Sequence, residues 1–340
     1  MCFRRRASRA VFPRLALAAL LLPPALLPNS FARQDETASK PAAAGPAASN
    51  DGLVTLHVTV LDKRDAPVLG LPRESFEVYE GKQAREVTRF EREVPASVGI
   101  VMDTSGTFED KLFGKRLEAV REGVRRFVRA GHPENRYFLV NFGTRVAPPT
   151  DWTGDADALA SAVAPARSGK QTALYDACLA AVVKLSGGPH AKRVLLLISD
   201  GQDNASRQSL GDLRRLLRGS GVIVYAVSPR LEDSDHAYRI AGEAILAELA
   251  YVNGGVLLTA DFGQGMLNAF GRAAEILRFQ YTVGFARAAP EAKERWRKVR
   301  VKVQPPPSAS ARDFKDLRVI AGEGYLTPPS AVTVQTQKSN

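Results

Sequence analysis

Val98-Gly99-Ile100-Val101-Met102-Asp103-Thr104-Ser105-Gly106-Thr107 is the stretch from which the fold is read. It begins with an apolar run without polar alternation, the texture of a strand buried on both faces. The run stops on a carboxylate and a short loop rich in hydroxyls. A second run, Val194-Leu195-Leu196-Leu197-Ile198, stops in the same way, on Ser199-Asp200-Gly201. Between them Thr172, in Gly169-Lys170-Gln171-Thr172-Ala173-Leu174-Tyr175-Asp176, opens a helical pattern. Two strand ends and one loop can therefore gather Asp103, Asp200, Ser105, Thr107 and Thr172 around one point. In an open α/β sheet that point lies in the crevice beyond the carboxyl ends of the strands, where ligands bind.

All five side chains offer oxygen, which favours a small hard cation over zinc. Mg²⁺ is the first expectation, with Mn²⁺ or Ca²⁺ as alternatives. Taken singly, an Asp-x-Ser-x-Thr is commonly a turn or a helix cap, and Ser-Asp-Gly after a strand is an ordinary turn. The three pieces in order, each in its own structural setting, are harder to reach by chance. Together they resemble the von Willebrand factor type A (VWA) family. Its metal-ion-dependent adhesion site (MIDAS) is an Asp-x-Ser-x-Ser followed by a distant Thr and a distant Asp. The resemblance implies that Ser105 and Thr107 ligate the metal directly. Thr172, Asp103 and Asp200 would act directly or through water, and one position would stay open to an acidic group of a partner. Thr107 departs from the usual second Ser by one methyl, while keeping the hydroxyl.

Outward from this core, the region 96–278 alternates strand and helix patterns, as a doubly wound, mostly parallel sheet requires. Strands are expected at Tyr137–Phe142, Val194–Ser199, Val222–Val227 and Val256–Thr259. Helices are expected at Asp157–Val163, Ala173–Leu185, Ser209–Leu217, Gly242–Tyr251 and Met266–Leu277. Another helix follows the first motif, where Leu117, Val120, Val124, Phe127 and Val128 recur at helical spacing. Pro148 and Pro149 make Val146–Trp152 an edge strand or a long connection.

Both flanks carry β texture. Val54, Leu56, Val58 and Val60 alternate with polar residues, which would leave His57 on an exposed face. Strands are also expected near Phe76–Tyr79 and Glu86–Phe90, with a turn at Gly81. After the centre, Phe279, Tyr281, Val283 and Phe285 alternate, as do Val299, Val301 and Val303, and Leu317 and Val319 follow. Neither flank has enough strands for a stable sheet alone. Residues 53–95 and 279–326 are therefore expected to pair into one small β-sandwich, with the central domain inserted in it. The arrangement resembles the bacterial VWFA-related proteins, which carry segments like Gly70–Glu80, Tyr281–Phe285, Lys298–Val303 and Gly324-Tyr325.

The first 32 residues read as a signal peptide. Arg4, Arg5, Arg6, Arg9 and Arg14 precede the apolar stretch Leu15–Leu27 and the small residues Ser30 and Ala32. Pro23 and Pro24 break that run, which is short for a span. Export to the periplasm or the medium, with no stable membrane span after cleavage, is the expectation. Residues 33–51 read as a flexible linker and 327–340 as a disordered tail. The net charge of +11 falls to about +6 without the leader's five arginines. The basic residues lack aromatic interleaving and any nucleic-acid motif, so nucleic acid is not the expected partner. Cys178 is the one thiol beyond the leader, which rules out an internal disulfide; it falls in an apolar helix and reads as buried filler.

The function these features imply is binding of a protein that presents an Asp or Glu to the metal. Asp203 and Asn204 would lie near the rim of the site, as partner contacts or as solvated loop residues. A catalytic role is not expected. His57, His132, His190 and His236 show no triad or metal spacing, and no Gly-rich phosphate loop is present. The alternative is a metal-independent cell-envelope scaffold.

Overall fold

The computed structural model describes residues 52–105, 113–164, 171–230, 235–289, 295–306, 314 and 316–327. The leader, the linker and residues 328–340 of the expected tail lie outside the described residues.

The alternation that begins at Leu53 forms β1 (Leu53–Leu61), followed by β2 (Phe76–Glu80), β3 (Gln83–Arg85) and β4 (Arg89–Arg92). The single strand expected at Glu86–Phe90 is not formed. Residues 86–88 link β3 to β4, with Val87 buried and the Thr88 amide donating to the Gly284 carbonyl. Those three residues carry the chain from one sheet to another, which a straight strand cannot do.

The central region runs β5 (Ala96–Asp103), α1 (Phe113–Ala130), β6 (Arg136–Phe142), α2 (Ala156–Ala162), α3 (Leu174–Ser186), β7 (Lys192–Ile198), α4 (Leu210–Ser220), β8 (Ile223–Arg230), α5 (His236–Tyr251), β9 (Leu257–Asp261) and α6 (Gln264–Arg278). Its strands form one parallel sheet in the order β6-β5-β7-β8-β9. Every residue of β5 is buried, as expected of a strand with helices over both faces. Val98, Ile100 and Met102 pack with α1, α2 and α6, whereas Val101, Leu195 and Leu197 pack with α3, α4 and α5. A Cβ at Gly123 would collide with the Phe270 ring, so that glycine lets α1 and α6 approach closely. Pro148 and Pro149 fall in a connection held at its ends by bridges from Val146 to Phe142 and from Thr153 to Tyr137.

Local signals start the helices. Asp155 Oδ1 accepts from the Asp157 and Ala158 amides at α2. Ser209 and Asp212 form a reciprocal capping box at α4, which ends at Gly221 with φ +65°. Cys178 is buried in α3, and burial pushes its thiol well up, which suits inert packing.

The remaining strands are β10 (Tyr281–Ala286), β11 (Arg295–Val303), β12 (Arg318–Ile320) and β13 (Gly324–Thr327). Thr327, assigned from sequence to the tail, closes β13. Two four-stranded sheets result, β12-β1-β10-β4 and β13-β11-β2-β3. Each mixes strands from before and after the central region, for example Leu53 opposite Ala286 and Val303 opposite Phe76. The sheets share one core of Val54, Leu56, Phe76, Val78, Tyr281, Val283, Phe285, Val299 and Tyr325. The doubly wound sheet is thus inserted in a β-sandwich built from both flanks. Among the described residues no helix is long and apolar enough to cross a membrane.

Candidate metal centre

From β5 the chain passes to β6 on one side and then returns to β7 on the other. That reversal opens a crevice beyond the carboxyl ends of β5 and β7. Asp103 is the last residue of β5, and Thr104 holds the following loop in place. Its amide and its Oγ1 both donate to the Phe142 carbonyl, at 2.7 and 2.9 Å. Asp103 is therefore turned towards β7. Its Oδ1 accepts the Ser105 amide at 3.0 Å and its Oδ2 accepts the Ser199 hydroxyl at 2.9 Å. The same Ser199 oxygen accepts the Gly201 amide at 3.1 Å, tying the loop after β7 to the end of β5.

Thr172 reaches the same place from the loop before α3. Its Oγ1 donates to Ser105 Oγ at 3.2 Å, and both residues are buried. Asp200 Oδ1 accepts the Gln202 amide at 3.0 Å. Gly201, at φ +85°, lies so close to α5 that a Cβ on it would strike the Gly242 backbone, and a Cβ on Gly242 would strike the Asp200 carbonyl. Asp103, Ser105, Thr172 and Asp200 are thus brought together, whereas Thr107 and its neighbour Gly106 lie outside the described residues.

The electrostatics of this cluster are unbalanced. Asp103 is 5% exposed, and burial pushes its carboxyl up to about 6. The neighbouring charge of Asp200 pushes the same way, against the hydrogen bonds from Ser105 and Ser199. Asp200 is also raised, chiefly by burial, with the Gln202 amide opposing. Among the described residues neither carboxylate is paired with a Lys, Arg or His.

Asp203 and Asn204, assigned from sequence to the rim, are half-buried and exposed respectively, and both also bond to the segment that carries Thr172. Asn204 Oδ1 accepts the Thr172 amide at 2.8 Å, and the Asn204 and Ala205 amides return bonds to the Thr172 carbonyl. Asp203 Oδ2 accepts the Tyr175 amide and the Ser206 hydroxyl, capping α3 from outside, since its own N-cap Ala173 has no side-chain acceptor. Both residues hold Thr172 in place. Tyr238, in the first turn of α5, is also exposed beside the crevice, and its carbonyl accepts from Gln202 Nε2 at 2.9 Å. Ser199 and Tyr238 were not singled out from sequence. Ser199 was legible as the hydroxyl at the end of its apolar run; Tyr238 had no local signal, because it arrives from a separate helix.

Residues 97–253 match the family model for the von Willebrand factor type A domain. The central region is a VWA domain. No curated protein matches the chain. Among solved structures, proximal thread matrix protein 1 from the mussel byssus is 17% identical, with a TM-score of 0.47 over 59% of this chain and 50% of that one. This chain therefore covers about half the length of the mussel protein. A von Willebrand factor type A protein from Catenulispora acidiphila is 13% identical, with a TM-score of 0.42 over 82% of this chain and 74% of that one. A pilus adhesin from Lactobacillus rhamnosus GG, in an open conformation, is 11% identical, with a TM-score of 0.44 over 80% of this chain and 49% of that one. VWA domains commonly mediate protein–protein interaction, and the central region of this chain is one of them.

Proposed function

We propose that the VWA domain binds a partner protein through a divalent cation, Mg²⁺ first, held by Asp103, Ser105, Thr172 and Asp200, with Thr107 as a further hydroxyl ligand. The observation that carries this reading is the pair of neighbouring acidic side chains that have no counter-cation among the described residues. Leaving two carboxylates together away from water is costly unless a positive charge meets them. Their surroundings supply hydroxyl and carboxylate oxygen and neither nitrogen nor sulfur, which fits a hard cation.

The bound ion would supply Lewis acidity towards a carboxylate of the partner. Neutral hydroxyls leave much of the cation's charge available, and the partly buried crevice strengthens its attraction for an Asp or Glu. Ser199 orients Asp103, while Asn204 and Asp203 orient Thr172. The protein is read as an exported interaction module of the periplasm or medium, and not as an enzyme.

Titration of Mg²⁺ and Mn²⁺ into protein freed of divalent ions tests the reading by calorimetry and thermal shift. Saturable binding that disappears in Asp103→Ala is expected. No heat and no shift with either ion would favour the metal-independent scaffold. Capture of partners from envelope extract, with Mg²⁺ or with chelator, tests the bridging role, and identical partner sets would overturn it.

A further inference from the structure

The opposite end of the central sheet carries a second polar feature. Where the start of β7 meets the outer face of the sheet containing β1, β10 and β4, a crevice of about 270 Å³ opens. Among its lining residues are Arg193, Lys192, His57, Thr282, Arg89 and Glu91. Glu91 is the one carboxylate there, and it is held by Arg89 through bonds of 2.9 and 3.2 Å. That pair is close to neutral as a unit.

The other cations are not balanced. Arg193 is half-buried and has no hydrogen-bond acceptor or ion-pair partner among the described residues. Burial lowers its guanidinium from the usual range. Lys192 is 1% exposed, and its ammonium, with three protons to donate, meets one acceptor, the Leu277 carbonyl at 2.8 Å. His57 is half-buried, with Nδ1 3.1 Å from Thr282 Oγ1. Burial and the charges of Lys192 and Arg89 hold its imidazole well below the ordinary range, so it stays neutral. Its ring nitrogens and the Thr282 hydroxyl are then neutral hydrogen-bonding groups that line the same crevice as the unpartnered Arg193.

We infer that this crevice is a binding site for a small oxyanion of the phosphate or carboxylate type, with Arg193 as its principal ligand. A guanidinium presents its donors in a planar fork that matches two oxygens of such a group. An anion there would supply the charge that Arg193 lacks among the described residues. The site is independent of the metal centre, which lies at the other end of the same strands.

Inorganic phosphate is the probe. Calorimetric titration is run on the full protein free of divalent ions, at constant ionic strength set by chloride, with acetate as a second arm. Saturable binding of phosphate or acetate is expected, weakened about tenfold or more in Arg193→Met and unchanged in Asp103→Asn. Saturation matters because phosphate also stabilises proteins non-specifically by exclusion. Lys298→Met, on the solvent face of β11, should leave the affinity as it is. Should Arg193→Met fail to fold by circular dichroism, Arg193→Lys keeps the charge, removes the fork and should still weaken binding. Absence of saturable binding by either ion, equal affinity in every Arg193 variant that folds, or equal loss in Lys298→Met would overturn the assignment.

Discussion

The two ends of the central sheet carry charge of opposite sign, uncompensated among the described residues. At the carboxyl ends of β5 and β7, Asp103 and Asp200 sit together with no Lys, Arg or His paired to them among the described residues. At the start of β7, Lys192 and Arg193 sit without a free carboxylate. The solvated helix surface is different. Arg125 of α1 is ringed by Glu118, Glu122 and Asp157, and nothing is left over. Exposed pairs of that kind contribute little to stability. A buried charge with no partner says more, because its desolvation has to be met by something beyond the apolar core. Its sign is the ground for the two proposals, a cation at one end and an anion at the other.

The largest effect expected from breaking this contrast is at the acidic end. Asp103→Asn removes a charge while keeping the shape, and Mg²⁺ affinity should fall by more than ~100-fold, since even outer-shell partners of a metal are worth 10–100-fold. Calorimetry checks this, and affinity within a few-fold of the parent would remove Asp103 from the ligand set. Ser199→Ala tests the support beneath it. Losing the hydroxyl that joins Asp103 to the Gly201 amide should weaken Mg²⁺ about tenfold.

At the basic end the prediction concerns pH. Burial lowers Lys192 to about 7, below its ordinary value of 10.5. Between those values the unfolded chain holds a proton that the folded chain has lost, so stability rises with pH across that window. Lys192→Met should abolish this rise and raise stability more at pH 6 than at pH 9. Urea titrations at pH 6 and pH 9 measure both, and an unchanged slope would show that Lys192 does not titrate there. The smallest effect is expected away from both ends. Ser209→Ala, at the cap of α4, should cost about 1 kcal/mol and leave ion binding alone. Any change in Mg²⁺ affinity in that variant would mean that the sheet ends are coupled to remote helix stability.

Much of the fold was legible because burial on both faces leaves an apolar run without alternation, as at Val98–Met102 and Val194–Ile198. The misreading of His57 has a physical cause. Alternation reports which side of a strand a residue faces, and not whether that side meets water. His57 was therefore expected to be exposed, yet that face of β1 lies against the crevice at the start of β7. Asp203 and Asn204, expected near the rim, are half-buried and exposed; what no spacing showed is that their oxygens also accept the amides of Tyr175 and Thr172 across more than 25 positions of chain.

The sequence by itself determined the order of elements, the insertion of one domain in the other, and the residue types around the acidic crevice. Local periodicity and strand-end chemistry are properties of short segments, and they survive without the rest of the chain. Tertiary structure alone decided which charges were left unpaired. Compensation depends on what distant segments bring within a few ångströms, and no spacing along the chain records that distance.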